Sequence, residues 1–239
     1  MKPITAYFTL LFLLIFFSCH NDDEDEGTRP ITDFITEFEF EQDAQGWEGG
    51  FAEYPPGEED FFELSFSHAD LPDALNTEEK GLRLSGTNRS DDLFMFIKRQ
   101  ITGLEPDSLY GMRIDIQLAS NAPENSFGIG GSPGASVYLK AGATTEEPLV
   151  LEDNQMNIDK GNQAQGGEDM MVLGTIGTER EDFEYELISR DSWDQKVIEV
   201  RTDAEGVCWL IVGTDSGFEG TTTLYYNRIS VLMAPFSPG

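Results

Sequence analysis

The chain has 239 residues, with 45 Asp and Glu against 15 Lys and Arg, so its formal net charge is −30. A field of that sign repels DNA, RNA and anionic lipid headgroups and favours divalent cations, which argues against a nucleic-acid partner. Two cysteines, Cys19 and Cys208, leave no disulfide framework or thiolate cluster, and two histidines, His20 and His68, leave no His-rich zinc site.

At the N-terminus, Met1-Lys2 precedes an apolar run from Tyr7 to Phe17, and Ser18-Cys19 follows it. This is the layout of a secretory signal, and the run falls short of the ~20 apolar residues that span a bilayer. Phe16-Phe17-Ser18-Cys19 resembles a bacterial lipobox, in which the cysteine is lipidated and becomes the first mature residue; Phe16 stands where leucine is usual. An ordinary signal peptide with an incidental cysteine is the alternative. His20 to Gly27 is a polar, acidic run that cannot pack and reads as a self-repelling tether. An acidic run behind a lipidated cysteine resembles the surface-export signal of some Gram-negative lipoproteins, which implies an outer-membrane anchor facing the cell exterior. A spacer facing the periplasm is the other reading. The expected partition is a signal peptide over 1–18, a tether over 19–33 and one monomeric β-domain over 34–235.

Downstream, Ile35 to Glu41 sets Phe38 and Phe40 against Glu37, Glu39 and Glu41, the period of two expected of a strand. Gly46-Trp47 and Gly49-Gly50 read as breaks, and Pro55-Pro56-Gly57 as a loop. Phe61 to Phe66 has strand character, and His68 to Thr77 reads as irregular with a short helical turn. Lys80 to Gly86 and Leu93 to Ile101 alternate again. From Leu109, Met112, Ile114, Ile116 and Leu118 fall on one face and Arg113, Asp115 and Gln117 on the other. The turn before them, Gly103 to Ser108, carries Gly, Pro106 and Asp107.

Ser126 to Ser136 holds four glycines but no helix follows it, so close backbone approach explains it better than a phosphate cradle. Asn154 to Asp169 is a long Gly/Asn/Gln-rich loop. The runs Val137 to Ala141, Met170 to Ile176, Phe183 to Ile188, Lys196 to Thr202, Val207 to Gly213 and Thr221 to Leu232 bring the total to ten or eleven strands. With no sustained helical period, the fold class is all-β, an antiparallel sandwich or jelly roll, and 17 phenylalanines suffice to fill a two-sheet core. Cys208, inside an apolar strand run, reads as a buried, inert thiol.

Phe40-Glu41 with Gly46-Trp47, Lys80 to Gly86, Ile101 to Pro106 leading to Tyr110, and Leu224 to Val231 together resemble a galactose-binding-like jelly roll, a superfamily that includes many carbohydrate-binding modules. The resemblance implies a structural calcium held by a first-strand glutamate and an acidic residue near the last strand; those positions are Glu41 and Asn227, the latter where aspartate is more usual. It also implies a glycan partner.

Three further sets of residues invite chemistry. Tyr54 and Trp193 lie in polar, turn-like segments where they could stack on a sugar ring, with Arg89, Asp91 or Asp92 as hydrogen-bonding partners. The structural alternative for each aromatic is a packed cap over the sandwich edge. Asp153, Asp159, Glu168 and Asp169 cluster around the long loop without the ligand spacing of an EF-hand. Asp182, Glu184 and Glu186 could place carboxylates on one strand face as a glycosidase requires. The expectation is nevertheless a non-catalytic surface lipoprotein that binds carbohydrate. A structural or adhesive domain binding protein partners is the alternative, and a glycan-active hydrolase or lyase the third reading.

Overall fold

A computed structural model describes residues 32–90 and 92–237; the expectations for the signal run, Cys19, the tether and Asp91 lie outside them. Twelve strands are present: β1 (Phe34–Glu39), β2 (Glu48–Ala52), β3 (Ser65–Asp70), β4 (Lys80–Thr87), β5 (Leu93–Ile101), β6 (Leu109–Ser120), β7 (Val137–Thr144), β8 (Met170–Thr175), β9 (Glu186–Asp191), β10 (Ile198–Arg201), β11 (Cys208–Ser216) and β12 (Thr221–Pro235). The one helical piece among the described residues is a 3-10 turn at Asp73–Leu75. All strand pairings are antiparallel, and they build two sheets.

The seven-stranded sheet is organised around β6 and β12. β12 pairs with β6 along one side, and with β4 and then β1 along the other. The far side of β6 carries β10 and β9. The period of two in β6 is realised as written: Tyr110, Met112, Ile114, Ile116 and Leu118 are buried, while Arg113, Asp115 and Gln117 are half-buried on the opposite face. Arg113 is held there by the carbonyls of Ser192 and Gln195. The five-stranded sheet runs β2-β5-β11-β7-β8. Inner faces of both sheets, including Phe38, Phe40, Trp47, Leu84, Ile97, Leu139, Leu210, Val212 and Tyr226, form one core. Each large apolar side chain so buried contributes about 1.5–3 kcal/mol.

Two sequence expectations are corrected. Gly49-Gly50 do not break the chain but sit inside β2, because a Cβ on Gly49 would stand 2.2 Å from the Phe66 ring and one on Gly50 2.3 Å from the Phe96 ring. Only glycine lets both rings lie flat on this edge strand. The strand expected over Phe61–Phe66 begins instead at Ser65 and takes in His68, whose imidazole Nε2 hydrogen-bonds the Phe40 carbonyl. Phe62, placed in the preceding turn, reaches the core from there.

The outer face of the five-stranded sheet is also covered. Residues 145–169 cross it and set Val150, Met156 and Ile158 on Ala52, Phe94, Phe96, Met170 and Ile211, a second apolar cluster. Phe94 and Phe96 stack with centroids 5.5 Å apart beneath them. The segment is pinned at its start by Lys98, whose Nζ donates to Glu147 and to the Pro148 carbonyl, and in its middle by Asn154, which donates to the Tyr54 carbonyl.

Candidate functional site

The covered sheet face carries a buried charge network at one end. Lys140 on β7 and Asp215 on β11 are both fully buried, and Lys160 from the covering segment reaches the same place. Asp215 Oδ2 accepts from Lys140 Nζ and Lys160 Nζ, each at 2.8 Å, and from the Gln163 amide at 2.9 Å. Lys140 also donates to the Lys160 and Gln165 carbonyls, and Lys160 lies 2.7 Å from Glu53 Oε2. Burial works against the charge on Asp215, but the two ammoniums outweigh it and hold the carboxyl below its ordinary range. Burial also opposes the charge on Lys160, and Asp215 with Glu53 outweighs it and raises that ammonium. This arrangement locks the segment down over the sheet.

The expected ligand residues do not gather in one place. Tyr54 is half-buried, its ring 5.6 Å from Phe62 and its hydroxyl donating to Glu59, so it caps the core. Arg89 lies over the Phe61 ring and donates to the Phe61 carbonyl. Asp92 turns inward to the buried network beside Glu53 and Asp215. Trp193 is apart from all of these. It is 53% exposed and lies with Ile35 and Leu232 in an open, mainly apolar groove of ≈ 450 Å³ that also includes Glu37 and Ser230.

Glu41 and Asn227 do share a cavity, ≈ 190 Å³, with Glu39, Glu79, Gln117 and Arg228. Asn227 sits where the β12 register shifts, and its amide donates to Gln117 Oε1. The donor set is rich in oxygen and suits a hard cation, and Arg228, which pairs with Glu37 and Asp115, adds one positive charge to the lining. Asp159 and Asp169 act on the backbone: Asp159 accepts from the Gly161 and Glu168 amides, and Asp169 from the Asp159 amide. Asp182 and Glu184 lie outside β9 as exposed residues, both paired with Arg180. Arg180 holds the Asp182 carboxyl below its ordinary value, the opposite of what a general acid needs.

Sequence reasoning missed an aromatic pocket at one end of the sandwich. Phe127, Phe183 and Phe218 surround a cavity of ≈ 180 Å³ with Ser120, Asn121, Pro133, Ile176 and Thr221 to Thr223. Phe127 is fully exposed and Phe183 is 54% exposed. Phe218 is seated between two glycines, since a Cβ on Gly128 or Gly220 would come within 2.4 Å of its ring. Phe183 also holds a backbone φ of +54°, unusual for a bulky residue and costing about 1 kcal/mol or more. Among the described residues, no charged side chain lines this pocket. Asn121 also lines it. The only signal in the sequence was Phe127 within a glycine-rich loop, where a large aromatic has no core to fill.

No protein-family model matches this chain, and no curated protein matches it. Among solved structures, the family 11 carbohydrate-binding module of a Clostridium thermocellum cellulosomal cellulase is similar at 10% identity, covering 86% of this chain and 98% of that module, TM-score 0.41. The xylan-binding module CBM15 is similar at 13% identity over 86% of this chain and 100% of its own, TM-score 0.39. The K1 cleaved adhesin domain of Lys-gingipain from Porphyromonas gingivalis is similar at 12% identity over 85% and 99%, TM-score 0.38. At these scores the likeness carries no argument about a ligand, and the residues of the pocket must.

Proposed function

We propose that the protein is a non-catalytic, lipid-anchored surface protein whose β-sandwich binds an uncharged glycan in the end pocket. The observation that carries this reading is the pocket's lining: two exposed phenylalanines, an asparagine and threonines, with no charged residue among the described ones, on a chain of net −30. Ring faces suit the apolar face of a sugar, and an amide with hydroxyls suits its OH groups. The volume is below the ~300–1,000 Å³ of sites for drug-sized ligands, so the pocket accommodates one ring. A calcium at Glu41 and Asn227 belongs to this reading as a brace for β1 and β12.

Affinity electrophoresis through gels containing neutral polysaccharides tests it. A retarding glycan is expected, with F127A and F183A each weakening binding about tenfold, or about 1.4 kcal/mol. Retardation by no glycan, or retention in both variants, overturns the reading. A second reading, a protein-binding adhesive domain, is favoured by the groove at Ile35, Trp193 and Leu232, an exposed apolar patch of the kind that marks interaction sites. If Trp193 instead serves a glycan, W193A alone abolishes retardation.

A further inference from the structure

Asp215 uses only one side of its carboxylate. Oδ2 takes both lysines and the Gln163 amide, whereas Oδ1, on a side chain with no exposed surface, has no partner. Buried carboxylate oxygens are rarely left so, because the lost hydration is expensive unless something replaces it. Asp92 Oδ1 is also buried and without a partner. Asp92, Asp215 and Glu53 each offer an oxygen within 4.8 Å of the others. The three come from different parts of the chain: Glu53 directly after β2, Asp92 directly before β5, Asp215 near the end of β11.

We propose that Glu53, Asp92 and Asp215 bind a calcium ion, distinct from any ion at Glu41 and Asn227 and independent of the glycan reading. The donors are all carboxylate oxygens, which excludes a preference for soft metals. Their spacing is one that an ion with bonds of about 2.3–2.6 Å can bridge. Each lysine is already engaged. Lys140 Nζ is engaged by two carbonyls and Asp215 Oδ2, and Lys160 Nζ by the Gly161 carbonyl, Asp215 Oδ2 and Glu53. Both ammoniums hold Asp215 through Oδ2 and leave its Oδ1 free, and Lys160 also holds Glu53, as groups hydrogen-bonded to metal-binding carboxylates commonly do.

The charge count points the same way. Three carboxylates against two ammoniums leave one negative charge uncompensated, and no described cation forms an ion pair with Asp92. Burial first, and then the neighbouring Asp215 charge, pushes the Asp92 carboxyl above its ordinary value; burial does the same to Glu53. The rival occupant is thus a proton shared between the carboxylates, and the experiment separates the two.

Calcium binding is measured by equilibrium dialysis and by thermal unfolding of the chelator-treated protein at neutral pH, for wild type, D92N and E41Q. The expected result is binding that D92N loses and E41Q keeps, with Tm rising by about 5–10 °C at a hundredfold excess over Kd. Three results overturn the proposal: no calcium bound by the wild type, which requires no variant; unchanged binding in D92N; or loss in E41Q alone. A chelated D92N that melts higher than chelated wild type while calcium moves neither identifies the occupant as a proton.

Discussion

Asp159 controls the segment over the five-stranded sheet through a few hydrogen bonds of its own. Its two carboxylate oxygens accept the Gly161 and Glu168 amides at 2.9 and 3.0 Å, closing the segment on itself. Those two backbone amides hold its carboxyl below the ordinary 3.8. A carboxyl whose folded pKa is depressed stabilises the fold above its unfolded value, and that contribution is lost as pH falls through the folded value. The window lies below about pH 4. Because Asp159 is exposed, the effect stays local and on the order of 0.5 kcal/mol. Hydrogen-exchange protection at Gly161 and Glu168 should hold at pH 5 and fall as pH drops below about 4 in the wild type. D159N should show the lower protection already at pH 5, with no further loss on acidification. Equal protection in both proteins at pH 5 would remove Asp159 from this role. Cys208 stands at the opposite extreme, its thiol pushed up to about 12 by burial and by Asp203, as an inert core residue would be.

Among elements, β2 shows how close packing can hide a strand from sequence. Its two glycines read as a break, yet they are what allow Phe66 and Phe96 to press against an edge strand. G50A places a methyl carbon 2.3 Å from the Phe96 ring and should destabilise by about 1–3 kcal/mol, seen as a lower urea midpoint with an unchanged slope. An unchanged midpoint would mean that the ring moves away freely. Strands with clean alternation were legible nearly to the residue: β5 was expected over Leu93 to Ile101 and is found there, and β6 and β12 differ only at their ends. Sites were less legible, for a different reason. Lys140 and Asp215 lie on the outward-facing side of strands, which implies solvent unless something covers the sheet, and the covering residues Val150, Met156 and Ile158 have no period of their own. Phe183 alternated like a strand residue but sits before β9 with a left-handed backbone. Trp193, read from its polar surroundings, is exposed, while Tyr54, read by the same rule, packs on Phe62. Local polarity cannot separate those two outcomes, because it does not report what lies across the sheet.

For the whole molecule, charge and attachment are linked. A protein of net −30 is repelled by anionic headgroups, so the domain itself supplies no electrostatic affinity for a membrane. No helix among the described residues is long and apolar enough to cross one. If the protein is held at the outer membrane, as the run before Cys19 leads us to expect, the covalent lipid is the expected attachment, each buried CH₂ of its acyl chains contributing about 0.8 kcal/mol. Cys19→Ser should therefore move the protein from the membrane fraction to the soluble fraction. The domain's Tm should not change, since its core is built from side chains between Phe34 and Met233. The acidic run His20 to Gly27 should then act on orientation rather than on attachment. Replacing its acidic residues with Ser and Gly should leave the protein in the membrane fraction but protect it from protease added to intact cells. If the Cys19→Ser protein stays with the membrane, a second attachment exists, and the exposed groove at Ile35, Trp193 and Leu232 is the first surface to mutate in search of it.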